Sequence, residues 1–247
     1  MDSNAFEAVA IINGTKVYGT VGLESSVTAI SNISLSVAKG KFIAIMGPSG
    51  SGKSTLLHCM AGLDNLTEGK VSIGSVDLSR LGDNDLTKLR RSYVGFMFQS
   101  FNLLPTLDAK QNILLPLTLS NSKIDTDWFN HLVDLLQIKD RLNHKPFEMS
   151  GGQQQRVAAA RALISKPTVI FADEPTGNLD SKSGNSLLEI LRNSVHELGQ
   201  TIVMVTHDAN AASYADEVVL LKDGQIVNIV YSPTQKSVID ALELLGS

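Results

Sequence analysis

Three short stretches of this chain have the residue types and spacing to handle a polyphosphate. The first is "GPSGSGKST", where Gly47, Gly52, Lys53 and Ser54 fit the pattern G-x-x-x-x-G-K-[ST]. It follows the apolar run "KFIAIM", which reads as a buried strand, and opens "KSTLLHCMAGL", which reads as a helix. In that setting Gly47, Pro48, Ser49, Gly50, Ser51, Gly52, Lys53, Ser54 and Thr55 form an ATP-binding cradle, whose glycines let backbone N–H groups turn toward phosphate oxygens. Lys53 brings a full positive charge to the β- and γ-phosphates, and the Ser54 hydroxyl suits Mg²⁺. A chance glycine-rich turn would explain neither flanking element.

The second stretch is "TVIFADEP". Val169 to Ala172 lead into Asp173 and Glu174, at the carboxyl end of a predicted strand, where parallel sheets bind their ligands. Asp173 is placed to hold Mg²⁺ through water, and Glu174 to polarise an attacking water. Cradle and acids together read as a nucleoside triphosphatase. The third stretch is "EMSGGQQQRVAAARAL", in which Ser150 can cap a helix while Gly151 and Gly152 leave its first N–H groups uncovered. Taken alone it is a glycine-containing helix cap; beside the other two stretches it reads as a second anion-binding helix entrance.

The elements that must position these residues follow from hydrophobic patterning. "KFIAIM", "TVIFADEP" and "TIVMVTHD" are continuous apolar strands. "KSGNSLLEILRNSVHEL" has helical spacing at Leu187, Leu188, Leu191 and Val195. Such alternation predicts an α/β fold whose parallel sheet is covered on both faces. "EVVLLKDGQIVNIV" predicts a hairpin turning at Asp223-Gly224. "VAIINGTKVYG" and "VTAISNISLSV" predict strands with no helix between them, hence an antiparallel sheet beside the parallel one. From about Asn102 to Leu163 the chain reads as helical, with Phe129, Leu132, Val133 and Leu136 on one face and Trp128 packing in that lobe.

Composition removes several function classes. The chain has 247 residues, 43% hydrophobic and 19% charged, which suits one large α/β domain. A net charge of −4 with no basic block argues against nonspecific nucleic-acid binding. The one cysteine, Cys59, allows no internal disulfide and reads as a buried thiol in a reducing compartment. "MDSNAFEAVA" has no basic-then-apolar secretory pattern, and no apolar run reaches the roughly 20 residues of a membrane span. The expectation is a chain soluble by itself, with any membrane role supplied by a partner.

Taken together, the motifs resemble those of the ATP-binding subunit of an ABC transporter, from Tyr18 to about Asp223. "MSGGQQQR" is similar to that family's signature sequence, with Met149 where Leu is usual, a near-isovolume exchange. Gln99 in "GFMFQSFNLLP", "DEPTGNLD" from Asp173 to Asp180, and His207 in "VTHD" fall in the family's order. The resemblance implies a P-loop (RecA-like) core at 41–101 and 164–230. It also implies an antiparallel β subdomain at 1–40 with parts of 65–98, an inserted helical subdomain at 102–163, and a helical tail at 231–247.

It further implies site roles. Tyr18 stacks on adenine, competing evenly with the reading of an ordinary strand aromatic, and "GTVGLESS" after it looks like an insertion. Gln99 touches Mg²⁺ or the water; Asp173 and Ser54 hold the metal; Glu174 and His207 are catalytic. Ser150, Gly151, Gly152, Gln153 and Asp180 act in trans, on the ATP held by a second copy in a head-to-tail pair. His58, His131, His144 and His196 lack such company and read as structural or exposed. The remaining partner is an integral membrane permease, which puts the chain at the cytoplasmic face of the membrane. No nucleic acid is expected.

"GLDNLTEG" and "ADEPTGNLDS", with the motifs above, most resemble the lipoprotein-releasing and macrolide or antimicrobial-peptide export group. Other readings stay open at this point: a soluble ABC-type ATPase acting on nucleic acid or ribosomes, a cell-division ATPase, or a P-loop kinase. The kinase reading leaves "SGGQQQR" and "THD" unexplained.

Overall fold

The computed structural model describes residues 7–19 and 26–246. The N-terminal stretch up to Phe6 and most of the insertion-like segment, Thr20 to Ser25, lie outside the described residues.

Strands β1 (Glu7–Tyr18) and β2 (Val27–Ala38) pair antiparallel, and with β4 (Glu68–Ile73) and β5 (Val76–Asp77) form a four-stranded antiparallel sheet. The second sheet has six strands. β3 (Phe42–Met46), β6 (Val94–Phe98), β7 (Val169–Asp173), β8 (Ile202–Val205), β9 (Glu217–Lys222) and β10 (Gln225–Tyr231) lie in the order β10-β9-β3-β8-β7-β6. All neighbours are parallel except β9 and β10, the predicted hairpin, whose turn residues Asp223 and Gly224 both take positive φ.

Alternation along these strands sends side chains to two separate cores. Phe42, Ala44, Ile170, Ala172, Ile202 and Met204 face one cluster. That cluster is covered by α3 (Ala109–Leu119), α4 (Thr126–Leu135), α5 (Gly151–Leu163) and α6 (Ser181–Leu198). Ile43, Ile45, Phe171, Val203 and Val205 face the other, beneath α1 (Lys53–Met60), α2 (Asp83–Tyr93) and the antiparallel sheet. Both faces being covered is why the central strands are apolar without interruption.

The expected helical face of Phe129, Leu132, Val133 and Leu136 is buried, and Trp128 donates its indole N–H to the Leu163 carbonyl at 3.2 Å. The short α7 (Ala209–Ala212) follows β8, and α8 (Gln235–Gly246) follows β10. Register aligns the strand ends: Phe98 pairs with Asp173, Asp173 with Val205, and Val205 with Ile45. The residues that follow, Gln99, Glu174, Thr206-His207 and Gly47, therefore emerge along one edge.

Candidate active site

The cradle Gly47–Thr55 joins β3 to α1. Gly52 has φ 96° and caps α1; a β-carbon there would strike the Ala29 carbonyl, so the close approach requires glycine. Lys53 Nζ donates to the Gly47 and Pro48 carbonyls at 2.9 and 2.7 Å, folding its charge back over the loop. Burial pulls the Lys53 ammonium below its ordinary pKa, against the raising effect of Glu174 and Asp173. Ser51 Oγ is buried in the loop without a partner.

Asp173 ends β7 facing α1. Burial and the Glu174 charge push its carboxyl above the usual range, while the charge of His58, a hydrogen bond from Ser54 and Lys53 pull it down. Glu174, the next residue, has φ 47°, a left-handed backbone that costs a β-carbon-bearing residue free energy. Its N–H donates to the Val205 carbonyl at 2.9 Å, and its carboxylate meets His207 Nδ1 at 3.1 Å. Both residues line an open pocket with Thr176, Gly177, Thr206 and Asp208. Gln99 lies across Gly177, so close that a β-carbon there would sit 2.7 Å from its amide nitrogen, and its carbonyl accepts from Asn178 at 3.0 Å.

One expectation needs correction. His58, read as structural or exposed, has Nε2 3.8 Å from Asp173 Oδ2. It stands four residues after Ser54 on α1, so both face β7. That spacing was the available signal. Of the others read that way, His131 stacks on Trp128, and His144 meets Arg141. Cys59 is buried, its thiol pushed up to about 12 by desolvation, so it is no nucleophile.

Tyr18 is tied to the cradle's end. Its hydroxyl donates to Asp64 Oδ2 at 2.8 Å, close to the Thr55 side chain. Lys16 Nζ donates to Asp64 Oδ1 at 2.6 Å and to the Asn65 carbonyl at 2.8 Å, and lies 4.9 Å from the Tyr18 ring centre. Burial raises the Asp64 carboxyl, but the Lys16 and Tyr18 hydrogen bonds and the Lys16 charge outweigh it and leave its pKa lowered. Sequence reasoning missed Lys16 and Asp64.

The second helix entrance is a full capping box. Ser150 Oγ accepts from Gln153 N–H at 3.3 Å, and Gln153 Oε1 accepts from Ser150 N–H at 3.0 Å. Ser150 keeps its O–H free to donate; the Gln153 oxygen, by contrast, is engaged within its own chain. The nearest atoms to Gly151 and Gly152 come from Phe101, Asn178, Leu179 and Ser183, none of them in the cradle. Asp180 caps α6 by accepting from Ser183 N–H at 3.0 Å. Gln155 was also missed. Fully buried on the same face of α5 as Ala158, Ala159 and Ala162, it donates to the carbonyls of Pro175 at 2.7 Å and Phe98 at 3.4 Å.

The model of the family described as ABC transporter matches residues 30–177. The chain is 45% identical to the uncharacterized ABC transporter ATP-binding protein YvcR of Bacillus subtilis, over 95% of this chain and 93% of that one. It is 44% identical to the bacitracin export ATP-binding protein BceA of Halalkalibacterium halodurans, over 88% and 87%. Among solved structures it is similar to the dimeric ATP-binding cassette MJ0796, of Methanocaldococcus jannaschii, in a post-hydrolysis state bound to ADP and Pi. There the TM-score is 0.81 and the identity 40%, over 92% of this chain and 99% of that one.

Proposed function

This chain belongs to the ABC transporter family, and we propose that it acts as one half of an ATP-driven clamp whose closure works a membrane permease. It is an ATP-binding and ATP-hydrolysing transporter subunit. The observation that carries the clamp is the separation of its two helix entrances: the atoms nearest to Gly151 and Gly152 of the Ser150 turn belong to Phe101, Asn178, Leu179 and Ser183, not to its own cradle. A head-to-tail pair brings each Ser150 turn over the partner's cradle, and the dimeric likeness of MJ0796 supports that arrangement.

In each composite site Lys53 exchanges the Gly47 and Pro48 carbonyls for β- and γ-phosphate oxygens. The Ser150 hydroxyl and the N–H groups of Gly151 and Gly152 donate to the γ-phosphate from the other chain, with Gln153 and Asp180 at the seam. Tyr18 stacks on adenine. Glu174 draws the proton of the attacking water, and His207, donating from Nδ1, fixes which carboxylate oxygen does so. Gln99 reports on the γ-phosphate from the turn before the helical lobe.

Among the described residues no three His, Cys, Asp or Glu side chains gather into a metal cage. The Ser54 hydroxyl and the Asp173 carboxylate are nonetheless hard oxygen donors close enough for Ser54 to lower the Asp173 pKa, a set that fits an ion keeping waters and phosphates as its other ligands. Ser54, Asp173 and Gln99 would hold Mg²⁺, which would supply charge to neutralise the phosphates.

No helix among the described residues is long and apolar enough to cross a membrane. The permease's landing place is an apolar groove of about 390 Å³ between the β6 edge and α3, lined by Leu63, Phe96, Leu115, Pro116, Leu119 and Phe98, the last one residue before Gln99. A short amphipathic helix of the permease fits there, at the cytoplasmic face. The cargo class is exported peptide, lipoprotein or drug-like molecules, in keeping with the relative named for bacitracin export. Glu174→Gln with ATP, followed by light scattering, tests the clamp: a pair is expected with ATP and single copies with ADP. Single copies in both would reject it.

A further inference from the structure

We propose that Gln155 is a positioning residue that ties the helix facing the partner's ATP to the catalytic turn of its own chain, coupling the two composite sites. This rests on the head-to-tail clamp above. Gln155 stands on α5 less than two turns after Ser150, so any tilt of the Ser150 turn as it engages a γ-phosphate moves Gln155 with it. Its amide nitrogen donates to two backbone carbonyls: Pro175, the residue after Glu174, and Phe98, the residue before Gln99. One buried side chain thus grips both catalytic-edge turns at once.

Two further features mark this as more than a core contact. Gln155 Oε1 is buried with no partner, so the amide sits at a net cost in stability that an apolar residue would avoid. The turn it grips is already held in an unfavourable conformation at Glu174, where a small pull changes where the carboxylate points. Arg161, two turns further along α5, clamps the Phe101 and Asn102 carbonyls beyond Gln99, so the helix and that turn move as one body.

The coupling runs within one chain, which makes it testable in mixed pairs of differently tagged copies. In one arrangement Gln155→Leu and Glu174→Gln share a chain; in the other they sit on opposite chains. Both contain the same substitutions, so a mere loss of stability cannot separate them. With the substitutions on one chain, the intact chain keeps an undisturbed Glu174, and single-turnover hydrolysis should match pairs carrying Glu174→Gln alone. With them opposed, the remaining Glu174 is on the untied turn, and the rate should fall at least about tenfold. Equal rates in the two arrangements overturn the proposal.

A second comparison covers a Gln155→Leu chain that folds poorly. Gln200 is also a buried amide donating to a backbone carbonyl, that of Pro167 at 3.1 Å, outside the site. Gln155→Met should lose kcat with ATP KM nearly unchanged, while Gln200→Leu should lose thermal stability and keep kcat. Equal kcat in the two overturns the proposal. Absence of any ATP-dependent pair would instead reject the clamp itself.

Discussion

His207 Nδ1 stands 3.1 Å from Glu174 Oε1, and an ionised carboxylate can only accept, so Nδ1 carries the proton between them. The pair acts as one unit. Glu174→Gln should lower kcat by about 10²–10⁴-fold with ATP binding retained, the range for a general base. His207→Ala should lower it strongly too. The double variant should lose little more than Glu174→Gln alone, which a phosphate-release assay will read. Additive losses would separate the two residues.

The backbone under Glu174 is held at φ 47°. Glycine takes that conformation freely, so Glu174→Gly should be more stable than Glu174→Ala by about 1 kcal/mol, measured by chemical denaturation without nucleotide. Equal stability would mean that the turn relaxes.

Asp173 contributes a pH dependence of known sign. Burial and the Glu174 charge hold its carboxyl above the ordinary value of 3.8, so its ionisation works against the fold. Its share of stability is full below that unfolded value and declines as pH rises through the folded one. In chelator, Asp173→Asn should therefore be more stable than the native chain at neutral pH, with the gap closing in acid, while losing hydrolysis. Unfolding midpoints across pH check this.

Tyr18 depends on Asp64 and Lys16 for its place. Asp64→Ala should weaken ATP binding by about two- to tenfold, the cost of re-ordering one side chain, and should add nothing in a Tyr18→Ala background. Calorimetric titration of the four chains measures the cycle.

Much of this was legible in the chain. The continuous apolar strands, the Asp223-Gly224 turn, the strand and helix that flank Gly47–Thr55 and the Ser150 helix cap are all local patterns, and the described residues bear them out. The tertiary partners were not. Lys16 and Asp64 meet across 48 positions of chain, and Gln155 and Pro175 across 20. Gln155 looks like its neighbours in "QQQR" until helical spacing puts it on the face of Ala158, Ala159 and Ala162. His58 was passed over because its partner, Asp173, lies on another element. Glu174's left-handed backbone has no signature in residue type.

Mixing two disabled chains tests the shared site most directly. Lys53→Ala removes a cradle and Ser150→Arg blocks a helix entrance, and each variant alone should be nearly inactive. A mixed pair contains one site built from the intact cradle of the second and the intact entrance of the first. An equal mixture should regain ATPase activity up to about a quarter of the native value, half its pairs being mixed and each having one of two sites whole, and below that ceiling because the Glu174 at work belongs to the chain with the blocked entrance. If each chain completes its own site, mixing restores nothing, and that result would contradict the account.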